Sequence, residues 1–117
     1  MQTLIAQQPI AVFRPLDHLN AATAGEFRRQ LNAAISAPGV VAVAVDLSQV
    51  KFLDSAGLMA LVSGLKQAKT LNKGFSICSI SPGIRMILEL SQLDRVFDIF
   101  ESVESFQAHN SGFKRYW

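Results

Sequence analysis

Two rhythms alternate along this chain. The stretch Val40-Val41-Ala42-Val43-Ala44-Val45-Asp46-Leu47 is β-branched and nearly continuously apolar, as expected of a strand covered on both faces. From Ser55 onward, Leu58, Leu61, Val62, Leu65, Ala68 and Leu71 recur at helical spacing. They predict a helix from Ser55 to about Leu71, stopped by Asn72-Lys73-Gly74. Upstream, Thr3–Ala6 and Ile10–Arg14 read as two neighbouring strands separated by Gln7-Gln8-Pro9. A helix from about Asn20 to Ala37 turns Phe27, Leu31, Ala34 and Ile35 to one side, and Pro38-Gly39 closes it. Its start has two candidates: Thr23 and Glu26 have capping-box spacing, and Asn20 is a rival N-cap.

Downstream, a strand is expected at Phe75–Ile80. Ser81 and Pro82 open a helix whose inner face holds Ile84, Ile87, Leu88 and Ser91. Val96–Phe100 alternates like a strand, and Ser102 caps a last helix carrying Val103 and Phe106. The order strand, strand, helix, then strand and helix three times over implies an α/β fold. It is a small, mixed, largely parallel sheet with about four helices. One domain is expected over residues 1–109. Residues 110–117, with Phe113, Tyr116 and Trp117, have no place in the scheme and read as a tail, disordered or docked through its aromatics.

Half of the 117 residues are hydrophobic and 17% are charged, which excludes a disordered chain and allows a real core. The formal charge of +2 is spread thinly, with clusters only at Arg28-Arg29 and Lys114-Arg115, so no direct nucleic-acid contact is expected. The single cysteine, Cys78, lies in an apolar run and reads as a small buried hydrophobe. No signal-peptide pattern opens the chain and no apolar run reaches the ~18 residues that span a bilayer, so a cytoplasmic protein without a membrane partner is expected.

Catalytic constellations are missing from the sequence. His18 and His109 belong to no cluster with metal-ligand spacing, and a cofactor is not expected. Ser55 is flanked by Leu53 and Gly57, not by the glycines of a nucleophile elbow. The seven glycines are spread singly, without a phosphate loop. The expectation is therefore a protein that is not an enzyme. What stands out is Ser55 itself, a hydroxyl where an apolar strand gives way to a helix. There, unpaired backbone N–H groups and the positive end of the helix dipole favour a phosphate. The residues alone leave alternatives open: Ser55 as N-cap, Asp54 as N-cap or first-turn acid, and Gly57 as a close-approach glycine or a tolerated one.

The run from Val45-Asp46-Leu47 through Val50 and Phe52 to Asp54-Ser55-Ala56-Gly57-Leu58 resembles the STAS-domain family of bacterial anti-sigma factor antagonists. Leu16-Asp17, Lys73-Gly74, Ser81-Pro82, and Leu90-Ser91 with Leu93 before Phe97 extend the likeness from about Ile10 to Phe106. The resemblance implies that Ser55 is phosphorylated and that the unphosphorylated form binds an anti-sigma factor serine kinase, releasing a sigma factor. Phosphorylation by that kinase, using its own ATP, ends binding, and a metal-dependent serine phosphatase resets the cycle. The partner surface it implies comprises Asp17, placed beside Ser55, with Asp54, Ala56, Gly57, Leu58 and Met59; Lys51 and Phe52 are further flanking candidates. The alternative keeps the fold but makes it a partner-switching or scaffold module, stressosome-like or of a lipid-transport system, whose output is not a sigma factor. The chain departs from the family pattern at Ala56, where a second hydroxyl is common, and at Arg14-Pro15. The segment His18–Ala22 is longer than usual, and Gln92 stands where a helix-ending glycine is common.

Overall fold

A computed structural model describes residues 9–114, with side chains through Asn110. Its elements are β1 (Ile10–Phe13), β2 (Asp17–Leu19), α1 (Ala24–Ser36), β3 (Ala42–Asp46), β4 (Val50–Leu53) and α2 (Ser55–Thr70). There follow β5 (Gly74–Cys78), α3 (Pro82–Leu90), a 3-10 turn at Leu93–Arg95, β6 (Asp98–Phe100) and α4 (Val103–Lys114). The main sheet has the order β1-β3-β5-β6 with every pair parallel, so the α/β expectation holds. A separate ribbon pairs β2 with β4, also in parallel.

The near-continuous apolar run of β3 follows from its central place, with all five residues buried. Val43 and Val45 pack into the large core formed with Phe27, Leu31 and Ile35 of α1, and with Leu58, Leu61 and Leu65 of α2. Ala42 and Ala44 join the smaller cluster in which Phe106 of α4 meets Cys78. Large side chains thus face the helix pair and small ones face α4, whose aromatic ring fills the space they leave. Burial pushes the Cys78 thiol up to about 11, which makes it a packing group rather than a nucleophile.

Several expectations change. The strand expected at Thr3–Ala6 lies outside the described residues. The Thr23–Glu26 capping box does not form. Asn20 Oδ1 instead accepts from the N–H groups of Ala22 and Thr23 (3.0 and 3.2 Å), while Glu26 turns to Arg29 and Gln30. Residues 110–114, read as the start of a tail, continue α4 as helix. The last strand begins at Asp98 rather than Val96, which is exposed. Ser91, placed on the inner face of α3, is exposed and turns its hydroxyl back to the Ile87 carbonyl (2.8 Å). Ser81 does cap α3, accepting from the Ile84 N–H at 3.2 Å with Pro82 in the first turn. Gln92, in place of the usual glycine, adopts the left-handed conformation at φ 63°.

Candidate functional site

Ser55 owes its setting to the residue before it. Asp54 leaves β4 with extended backbone (φ −102°, ψ −172°), and its Oδ1 accepts from the Gly57 N–H at 3.0 Å. Its carbonyl accepts the first helical bond, from the Leu58 N–H at 2.9 Å. Asp54 is therefore the N-cap and Ser55 the first helical residue, which decides the alternatives that the sequence left open. Relieved of capping, the exposed Ser55 hydroxyl makes no hydrogen bond among the described residues.

The same carboxylate works twice. Asp54 Oδ2 accepts from the Ala21 N–H at 3.3 Å, in the turn that leads into α1, while the Asp54 N–H donates to the Leu19 carbonyl at 3.1 Å. One acid thus ties the entrances of both helices together. The two helix N-termini lie side by side at Ser55, and their dipoles place positive potential at one spot.

Gly57 makes that convergence sterically possible. A Cβ there would stand 2.3 Å from the Leu19 carbonyl oxygen and 2.8 Å from both Leu19 Cβ and Leu53 Cδ1. Only glycine lets the first turn of α2 rest on the ribbon, so the close-approach reading holds. A Cβ at Gly64, one heptad further on the same face, would meet Leu31 Cδ2 at 2.6 Å, so this glycine brings α1 and α2 together. The seven-residue spacing from Gly57 is the signal in the sequence that points to Gly64.

The expected partner surface divides. Ser55 and Met59 are exposed, Met59 at 53%, and Asp54 and Ala56 are half-buried. Gly57 and Leu58 are corrected: both are buried, Gly57 against Leu19 and Leu58 in the main core, so they position the surface without belonging to it. Asp17 is exposed, but the ribbon register sets it opposite Val50, with Leu19 opposite Leu53. It therefore stands at the end of the ribbon away from the Asp54-Ser55 junction, not beside Ser55 as expected. Its backbone is left-handed (φ 60°) and its N–H donates to the Gln49 carbonyl at 3.0 Å, so it shapes the loop. Phe52, 50% exposed, leans on His18 with ring centroids 6.2 Å apart. Ala21 was invisible to sequence reasoning, because it contributes a backbone N–H and no side-chain signal.

A second acid supports the loops. The buried Asp46 ends β3; its Oδ2 accepts from Arg14 Nε at 2.6 Å and its Oδ1 from the Ser48 N–H at 2.9 Å. Burial works to raise the Asp46 pKa, but the Ser48 N–H and the Arg14 guanidinium outweigh it and hold the carboxyl below its ordinary value. Arg14, a departure from the family pattern, thus closes a buried charge.

With this geometry in view, likeness to known proteins is informative. The family model described as "STAS domain" matches residues 3–106. The chain belongs to the STAS domain family. BtrV of Bordetella bronchiseptica, provisionally called an anti-sigma factor antagonist, is 27% identical over 87 residues, which is 74% of either chain. SpoIIAA, a Bacillus cell-fate determinant solved in its phosphorylated form, superposes with a TM-score of 0.66 at 17% identity, over 92% of this chain and 96% of its own. The STAS domain of a SulP transporter from Vibrio cholerae superposes with a TM-score of 0.73 at 15% identity, over 97% of this chain and 88% of its own. At these identities the structural likenesses show the shared fold. No helix among the described residues is long and apolar enough to cross a membrane.

Proposed function

We propose that this STAS domain is a phosphorylation-switched anti-sigma factor antagonist. Unphosphorylated, it binds an anti-sigma factor serine kinase and frees the sigma factor. That kinase transfers the γ-phosphoryl group of ATP to the Ser55 oxygen, releasing ADP and the hydroxyl proton. The phosphorylated form lets go until a metal-dependent serine phosphatase hydrolyses the ester to serine and inorganic phosphate. The observation that carries the reading is the uncommitted Ser55 hydroxyl beside a carboxylate that caps one helix and tethers the entrance of another. A phosphate there adds about −1.5 to −2 charges and three acceptor oxygens. Two helix N-termini offset that charge locally, so the fold tolerates it. A docked partner must instead desolvate the dianion next to Asp54. A loss of about 2–4 kcal/mol weakens binding by tens to hundreds-fold, enough for a switch.

Ala56 leaves Ser55 as the one hydroxyl within the motif. The relatives named as antagonists lend the reading support, as does the phosphorylated state of SpoIIAA. Incubation with the anti-sigma kinase and ATP, followed by mass spectrometry, should place phosphate on Ser55. Ser55→Ala should keep kinase binding and Ser55→Asp should abolish it. Phosphate elsewhere with Ser55 untouched, or equal binding by both variants, rejects the reading. Kinase binding without release of a sigma factor would favour the scaffold alternative.

A further inference from the structure

The face of α2 that starts at Ser55 continues down the helix through Met59, Val62 and Lys66, at spacings of three and four residues. Across from it α1 presents Arg28 and Asn32, and the two helices border an open groove of ≈ 370 Å³. Arg28 and Lys66 are exposed, and neither joins an ion pair among the described residues, where the pairs are Arg14–Asp46 and Arg29–Glu26. Asn32 Oδ1, buried in the wall of the groove, accepts no hydrogen bond among the described residues. Met59, 53% exposed, and Val62, half-buried, give the groove an apolar strip near its Ser55 end.

We propose that this groove is a second docking surface, taking an acidic amphipathic helix of the anti-sigma partner; the proposal rests on the antagonist reading above. A helix laid there would set its apolar side on Met59 and Val62 and its carboxylates on Arg28 and Lys66. The groove opens at Met59, one helical turn from Ser55, which gives the switch a reach. Met59 and Arg28 each lie one turn into their helices, about 6 Å along the axis from the Ser55 end, whereas Lys66 lies about 16 Å away. With a Debye length of about 8 Å in physiological salt, a phosphate on Ser55 repels the first acidic turn of the occupant and competes for Arg28, but barely reaches Lys66. Phosphorylation thus unseats the helix from its Ser55 end.

The test is calorimetric titration of the purified anti-sigma kinase into the wild-type chain, R28E/K66E, R28Q/K66Q and, as a control on α3, R85E. R28E/K66E should bind about tenfold more weakly or worse, R28Q/K66Q about threefold more weakly, and R85E like wild type. Added salt should weaken wild-type binding more steeply than that of R28Q/K66Q. Circular dichroism checks the folds; should R28E/K66E be unfolded, the glutamine pair decides. Wild-type affinity in both groove variants overturns the docking surface while leaving the antagonist reading intact. A wild-type chain that binds no kinase overturns that reading and the groove with it. Concentration-dependent self-association lost in R28E/K66E would assign the groove to a second copy and overturn the proposal.

Discussion

The α1–α2 pair has two ends that are built on the same electrostatic rule and finished differently. At the end where the chain enters both helices, one acid serves both N-termini: Asp54 caps α2 through Gly57 and reaches Ala21 before α1. At the other end a cation serves the C-terminus of α1. Lys73 Nζ donates to the carbonyls of Ile35 and Ala37, at 2.5 and 3.0 Å, and Asn72 takes the left-handed conformation that closes α2. Both ends complement the helix dipoles. The Lys73 end is closed, with the Ile35 and Ala37 carbonyls occupied. The Asp54 end is satisfied by a side chain that leaves its neighbour Ser55 free and exposed. A stable helix pair and a receptive site thus come from one principle, and a hydroxyl left uncommitted separates them.

The comparison can be broken most severely at Gly57. Gly57→Ala should destabilise the domain by about 3 kcal/mol or more, because the new methyl meets first the Leu19 carbonyl oxygen, backbone that cannot swing aside. A denaturation midpoint near that of wild type would mean the junction is looser than described. Asp54→Ala should cost about 2 kcal/mol, the sum of a lost cap and a lost tether, and Asp54→Asn clearly less, since an amide oxygen still accepts. Equal losses for the two variants would argue that charge, not hydrogen bonding, dominates there.

Acid should find the loops that Asp46 holds first. The native Asp46 carboxyl titrates below its unfolded value, so its contribution is full above the ordinary carboxylate range and is lost as pH falls through the native value. Denaturation curves should show stability falling below about pH 4, and Asp46→Asn should cost about 1–2 kcal/mol at neutral pH with a flatter acid limb. An unchanged acid limb in Asp46→Asn would assign the acid sensitivity elsewhere. The smallest effect is expected at the closed end. Lys73→Met should lose about 1 kcal/mol of stability while leaving the rate of Ser55 phosphorylation unchanged. A slowed phosphorylation would couple the two ends that this comparison separates.

The sequence revealed the elements with a clear period. β3 and α2 stood out through burial on two faces and through a long helical stripe, and Ser81-Pro82 announced α3. The ribbon did not, because β2 and β4 have three and four residues, too few for a period, and their buried positions follow the contact with α2. At the site, Ser55 and Asp54 were both visible, but which of them capped could not be told. Ser and Asp are equally good caps, and a one-residue shift exchanges their roles. That shift decides whether the serine is spent on structure. Gly57 and Leu58 were legible as parts of the motif but not as buried parts, since a motif records identity and not orientation. The contacts from Lys73 to α1 and from Asp54 to Ala21 span more than thirty positions and exist only in the folded chain.

The central claim is that the paired helix N-termini seat a phosphate on Ser55 without disturbing the fold. The most direct measurement is thermal unfolding of the chain carrying genetically encoded phosphoserine at position 55, beside the unmodified chain, at low and high salt. The account predicts an unfolding midpoint equal to or above that of the unmodified chain at low salt, with any gain shrinking as salt rises. A clearly lowered midpoint would contradict it, because the phosphate would then act by breaking the α1–α2 entrance rather than by resting on it.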